Sequence, residues 1–167
     1  MDAYLFDTTV LSIYLDPKHP HHVTKGQSLT ALPSESPRYV SAIALGELSF
    51  GTNLASRLGK GNLTELESML AQARSYAVLE VGFHTGAVYG ELKANVAHKY
   101  LSKTLRKDRP KQIEEWVDKA TGQKLSVDEN DVWMCAQAKE RDLVFVTADV
   151  RMKRISDADP DVKLLVI

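Results

Sequence analysis

Leu143-Val144-Phe145-Val146-Thr147-Ala148-Asp149 decides how this chain folds. Five apolar or β-branched residues run without a break, and an acid stands two residues beyond them. Tyr4-Leu5-Phe6-Asp7 repeats the pattern in shorter form near the other end of the chain. Continuous apolar runs of this kind fit strands buried on both faces of a parallel sheet. In open parallel sheets, ligands bind beyond the carboxyl ends of the strands. Asp7 and Asp149 therefore fall on the edge where function is expected. Asp is also a favoured helix N-cap, which is the alternative reading of either acid taken singly.

Two further acids interrupt helical patterns. In Ser41–Asn53, Glu47 stands four residues after Ile43 and three before Phe50, and Leu54 continues the same spacing. Glu47 is thus expected on an apolar face. In Asn130–Arg141, Asp131 shares a face with Met134, Cys135 and Ala138. An acid in such a place destabilises a fold unless something compensates it, and a divalent cation is the simplest partner. The competing readings are a side chain that snorkels to the edge of its stripe, a buried base nearby and, for Asp131, the favourable field of a first helical turn.

Strands are expected at Ala3–Phe6, Ala77–Val81, Leu143–Thr147 and Lys163–Val166, with a short fifth at Arg38–Val40. Helices are expected at Val10–Leu15, Ala42–Leu54, Leu63–Arg74, His84–Leu101, Ile113–Ala120 and Asp131–Lys139. This alternation implies an α/β fold with a parallel sheet flanked by helices. Pro17–Pro37 is polar and proline-rich and reads as a loop, or a loop with a short helix, able to cover a site. Lys103–Lys111 is strongly basic, contains Pro110 and reads as a break between two helices, the second closed by Thr121-Gly122. No repeat or composition shift divides the chain, so residues 1–167 read as a single domain.

At 167 residues, 44% hydrophobic and 26% charged, the chain has the composition of a soluble globular protein. It has no apolar stretch of bilayer-spanning length and no basic-then-apolar leader, so a cytoplasmic location is expected. The single cysteine, Cys135, lies on an apolar helix face and reads as a small buried hydrophobe. The net charge of −1 gives no global signature of nucleic-acid binding. Lys93–Lys124, however, carries nine Lys/Arg against four Asp/Glu, which is either a solvated face or a phosphate-tracking surface. His19, His21 and His22 lack the matched ligands of a zinc site and read as an exposed loop. Phosphate-binding glycine loops and nucleophile elbows are absent. Trp116 and Trp133 fall in amphipathic helices and read as core or interface residues rather than base-stacking platforms.

The ordered motifs resemble those of PIN-domain nucleases. Leu5-Phe6-Asp7-Thr8-Thr9-Val10-Leu11 resembles that family's opening strand and turn. Ser41-Ala42-Ile43-Ala44-Leu45-Gly46-Glu47-Leu48 resembles its second motif, Asn130-Asp131-Val132-Trp133-Met134-Cys135-Ala136-Gln137-Ala138 its third, and Val146-Thr147-Ala148-Asp149 its last. The match runs along nearly the whole chain and is most similar to the VapC-type toxins of toxin–antitoxin pairs. Two departures stand out: Thr9 replaces the usual Asn, and the segment around Lys103–Thr121 is longer than in compact toxins and is expected to add a helix.

The resemblance implies a three-layer α/β/α fold around a parallel sheet of about four to five strands. It implies a metal-dependent endoribonuclease in which Asp7, Glu47, Asp131 and Asp149 bind Mg²⁺ or Mn²⁺. Hard oxygen ligands suit those ions better than zinc, and clustered carboxylates raise one another's pKa when nothing compensates them. Thr147 has two readings, a residue that positions a carboxylate, water or phosphate and a plain strand residue. Thr8 is expected to support Asp7. The implied partners are an RNA substrate, a cognate antitoxin and a second copy of the chain, with Ala42–Leu54 and Leu63–Arg74 as candidate dimer helices. The rival functions are a stand-alone nuclease of RNA processing and a PIN-like module that binds without cleaving.

Overall fold

β1 (Tyr4–Phe6) and β4 (Val144–Thr147) lie side by side and parallel, with Tyr4 opposite Val144 and Phe6 opposite Val146. Leu5, Phe6, Phe145 and Val146 are fully buried, as strands covered on both faces require. This computed structural model describes residues 2–101 and 109–167. β2 (Arg38–Ser41), β3 (Ala77–Leu79) and β5 (Leu164–Val166) complete a five-stranded, all-parallel sheet in the order β3-β2-β1-β4-β5. The chain builds outward from β1 to β3, then crosses back to start again at β4. The direction of building therefore reverses between β1 and β4, which is where a doubly wound sheet opens a crevice at its carboxyl edge.

Among the described residues, seven α-helices flank the sheet: α1 (Thr8–Leu15), α2 (His22–Thr30), α3 (Ala42–Leu58), α4 (Leu63–Ala73), α5 (Phe83–Tyr100), α6 (Glu129–Glu140) and α7 (Lys153–Ala158). None is long and apolar enough to cross a membrane. Their ends are written in the sequence. Ser41 closes β2 and caps α3, its hydroxyl accepting from the Ile43 N–H at 3.0 Å. Gly59 ends α3 at φ 60°, a left-handed value that a side chain would disfavour. Asp128 caps α6 by accepting from the Asp131 N–H at 2.9 Å, and Asp131 accepts in return from the Asp128 N–H at 3.2 Å.

The polar stretch before Pro37 takes the second of its two expected forms, a loop with a short helix, α2, held down by buried Gly26 and Leu29. Two expectations are corrected. Ile113–Ala120 is not an α-helix. It is a single 3-10 turn at Ile113–Glu115, followed by extended backbone in which Val117 bridges Lys124 in antiparallel fashion. Gly122, at φ 71°, closes this small hairpin. Side-chain burial overrides helical spacing here: Ile113, Trp116 and Leu125 are fully buried, and the Trp116 ring N–H donates to Pro110 O at 2.9 Å. Trp116 is thus a core residue, but on an extended segment. Of the basic break expected at Lys103–Lys111, residues 103–108 lie outside the described residues.

The second correction concerns α3. Its buried residues are Ala44, Leu48 and Thr52, whereas Phe50 is 68% exposed and Leu54 41% exposed. Two stripes, offset by one residue, each fit the helical period. Ala44, Leu48 and Thr52 form the inward one, and of the stripe that holds Glu47, Ile43 packs on the core while Phe50 and Leu54 face out.

Candidate active site

The four acids named from sequence come from the ends of β1 and β4 and from the facing helices α3 and α6. Asp7 immediately follows β1, and its backbone N–H still donates to Val146 O at 3.0 Å, so the sheet ladder fixes its place. One carboxylate oxygen accepts from the Val10 N–H at 2.6 Å and caps α1. The other accepts from the Thr147 hydroxyl. Thr147 Oγ1 in turn accepts from the Asp149 N–H at 3.0 Å. One hydroxyl thus orients the acid of one strand and the turn that carries the acid of the next. Capping and site geometry are not alternatives for Asp7, since the same carboxylate has both sets of contacts.

Glu47 is fastened from two sides. Thr8 Oγ1 donates to one oxygen and Asn130 Nδ2 donates to the other at 2.7 Å. Thr8 therefore serves Glu47 rather than Asp7, which corrects the expectation for that residue. Asn130 precedes Asp131, so α6 carries one acid of the set and steadies another. Asp131 shares its helix face with Met134, Cys135 and Ala138, all buried as expected.

Burial is the main force on these acids. It raises Asp7 from 3.8 to about 6 against the hydrogen bonds from Thr147, Val10 and Thr9, with Asp149 adding a smaller push. It raises Asp131 to about 7, helped by the charges of Asp128, Asp7 and Asp149. Mutual repulsion is present but secondary to desolvation. Asp149 behaves differently. Burial pushes it up, yet hydrogen bonds from Arg151 outweigh that and hold it below the ordinary carboxylate value.

Among the described residues, neither Asp7, Glu47 nor Asp131 has an ion pair with Lys, Arg or His, although Asp7 is only 4% exposed. As they stand, the described His, Cys, Asp and Glu residues form no group of three set to hold a metal ion. The donor chemistry nevertheless fits a hard divalent cation: carboxylates, one of them deeply buried, with no cationic partner. The structure brings Asp7, Asp131 and Asp149 within reach of one another's charge. It links Glu47 to them through Thr8 and Asn130.

Sequence reasoning missed three contributors. Asp128 caps α6 beside Asp131, and its signal was an acid three residues before another at a helix start. Arg151 clasps Asp149 from two residues away. Lys25 of α2 donates to Ala148 O at 3.3 Å and to Ile167 O at 2.9 Å, tying the segment before β2 to the turn that bears Asp149. The triplet His19, His21 and His22 is spent locally, His22 Nδ1 lying 2.8 Å from Ile13 O.

A doubly wound sheet with acids at its switch point defines a class of α/β domain built for ligands beyond the strand ends. The chain belongs to the PIN domain family, which matches residues 4–158. PIN domains are generally nucleases and generally use divalent metal ions. Among curated proteins, none matches the chain. Solved structures similar to it include chains of VapBC and FitAcB. A chain of VapBC2 from Rickettsia felis, bound to a DNA fragment from its promoter, superposes with a TM-score of 0.64 at 19% identity, covering 98% of each chain. A chain of FitAcB from Neisseria gonorrhoeae gives 0.61 at 21% identity, covering 97% of this chain and 96% of that one. A chain of VapBC-5 from Mycobacterium tuberculosis, a member of the VapBC family of toxin–antitoxin systems, gives 0.56 at 16% identity over the full length of both. At these identities the likeness is one of fold.

Proposed function

We propose that this chain is a Mg²⁺- or Mn²⁺-dependent endoribonuclease, the toxin of a VapBC-type pair, with Asp7, Glu47, Asp131 and Asp149 as its metal-binding and catalytic acids. One observation carries the reading. Asp7 is buried at the switch point of a PIN fold, beside Asp131 and Asp149, with no ion pair among the described residues. A buried acid without a counter-ion is destabilising unless a cation compensates it when the protein works.

Asp7 and Asp131 would hold the cation from the sheet edge and α6, and Asp149 and Glu47 would complete the set. When bound, such a cation supplies a water of lowered pKa and neutralises charge on the scissile phosphate. The chain's own residues do the rest. Thr147 and the Val10 N–H fix the two oxygens of Asp7 before any ligand arrives, which limits the ordering needed on binding. Asn130 and Thr8 do the same for Glu47. Such supporting contacts contribute about 10–100-fold in metal affinity or activity at comparable sites.

The superposed chains come from VapBC and FitAcB complexes, which supports a cognate antitoxin as partner. The exposed apolar row Phe50, Leu54 and Leu58 on α3 supports a homodimer contact through that helix. Purified protein is to be incubated with total RNA in Mg²⁺, Mn²⁺ or EDTA, beside Asp7→Asn. Cleavage confined to the wild type in divalent cation is expected. Cleavage that persists in EDTA or in the variant rejects the mechanism.

A further inference from the structure

Only one of the four acids has its charge compensated within the described residues. Arg151 Nε lies 2.8 and 2.9 Å from the two oxygens of Asp149, and its Nη2 lies 2.6 Å from Oδ2. The Arg151 backbone N–H donates to Oδ1 as well, at 2.9 Å. Both oxygens of Asp149 are therefore taken by a single residue. Arg151 is not a core fixture. It sits on the 3-10 turn Val150–Met152 that follows Asp149, with its side chain 54% exposed. The charges of Asp131 and Asp128 also act on its guanidinium.

This arrangement is a competition. A divalent cation held by Asp149 needs the oxygens that Arg151 now occupies. An exposed ion pair between residues two apart is weak, so an incoming double charge can displace it. The displaced guanidinium remains tethered at the edge of the site. Its planar fork suits a phosphate as well as a carboxylate, which a lysine ammonium does not match. We propose that Arg151 is a positioning residue that exchanges partners: it holds Asp149 while no cation is bound, and it moves to a phosphate of the nucleic acid once a cation has taken Asp149. The exchange couples cation loading to substrate grip and rests on the nuclease reading given above.

Binding, not turnover, tests it. Mn²⁺ affinity is to be measured by the loss of the free-ion paramagnetic resonance signal for wild type, Arg151→Gln, Arg151→Lys and Lys153→Gln. Arg151→Gln is expected to bind Mn²⁺ about two- to five-fold more tightly than wild type, the scale of a lost surface pair. Lys153→Gln removes the same charge from an exposed neighbouring position and is expected to leave the affinity unchanged. The second readout is binding of a 2′-O-methylated, mixed-sequence oligoribonucleotide across a salt series. In Mn²⁺, the log–log salt slope of Arg151→Gln is expected to be shallower than wild type by about 0.7, the loss of one phosphate contact to a single strand. Arg151→Lys is expected to keep that slope yet bind the oligonucleotide less tightly, because it retains charge but not the fork. In EDTA, wild type and Arg151→Gln are expected to coincide.

Equal Mn²⁺ affinity in wild type and Arg151→Gln, an equal gain in Lys153→Gln, or a slope difference that persists in EDTA overturns the exchange while leaving the metal-dependent nuclease intact. A wild-type protein that takes up no Mn²⁺ overturns the nuclease reading and the exchange together.

Discussion

Asp7 and Asp159 are the same residue type with nearly the same solvent exposure, 4% and 3%, and the fold treats them in opposite ways. Asp159 lies past the end of α7 and receives Lys139 Nζ at 2.7 Å and Asn95 Nδ2 at 2.9 Å. Burial raises it, but those donors outweigh burial and hold it below the ordinary carboxylate value. Among the described residues, Asp7 receives only a hydroxyl and backbone N–H groups, and it rises to about 6. α6 spans both situations, with Asp131 in its first turn and Lys139 in its last. A buried acid that serves the fold is neutralised from within the chain. On the reading proposed above, the partner of a buried acid left without a cation comes from outside.

The contrast breaks most visibly at Asp7. Asp7→Asn should reduce RNA cleavage on the order of a thousand-fold, because several kcal/mol of charge stabilisation depend on the bound cation. The same change should not weaken the metal-free fold. Its carboxylate is protonated more readily folded than unfolded, so its contribution is full below pH 3.8 and fades as pH rises through about 6. In EDTA at neutral pH, Asp7→Asn should therefore be more stable than wild type by about 1–3 kcal/mol in urea denaturation. Asp159 has the opposite sign. Its folded value is depressed, so its contribution is present above the ordinary 3.8 and is lost as pH falls through the folded value. A variant at Asp7 that is both inactive and less stable in EDTA would erase the distinction.

Lys139→Met attacks the other side. It leaves Asp159 buried without its cation, and loss of one member of a buried pair costs about 3–5 kcal/mol. The urea midpoint should fall accordingly, while Mn²⁺ affinity of the folded protein stays at the wild-type level. A fall in Mn²⁺ affinity would mean that the two ends of α6 are not independent. The smallest of these effects is expected at Asn130. Asn130→Ala frees one oxygen of Glu47 and should lower activity about 10-fold, with little change in stability. A wild-type rate would show that Glu47 needs no such support.

The sheet and the places of Asp7 and Asp149 at its carboxyl edge were legible because they rest on local signals: β1 and β4 are short apolar runs, each followed by an acid. The strand order, and with it the switch point, was not, because it depends on which strands pair. The supporting contacts were not legible. Thr8 to Glu47 spans 39 positions and Asn130 to Glu47 spans 83, and no local pattern encodes such a pairing. The α3 stripe was misread because a helix with apolar residues on adjacent rows offers two faces, and packing chose the row of Ala44, Leu48 and Thr52. The segment after Ile113 was misread because Trp116 reaches the core from extended backbone, where helical periodicity carries no information.

The central claim is that burial makes Asp7 and Asp131 bind protons more readily than ordinary carboxylates, and that a cation competes with those protons. Calorimetric titration of metal-free protein with Mn²⁺, in buffers of differing ionisation enthalpy from about pH 5 to about pH 8, reads both affinity and proton release. The account predicts tighter binding as pH rises toward about 7, the value of Asp131, with protons released on binding below that pH and binding lost in Asp7→Asn. Affinity that is flat across this range, binding without proton release, or undiminished binding to Asp7→Asn would contradict it.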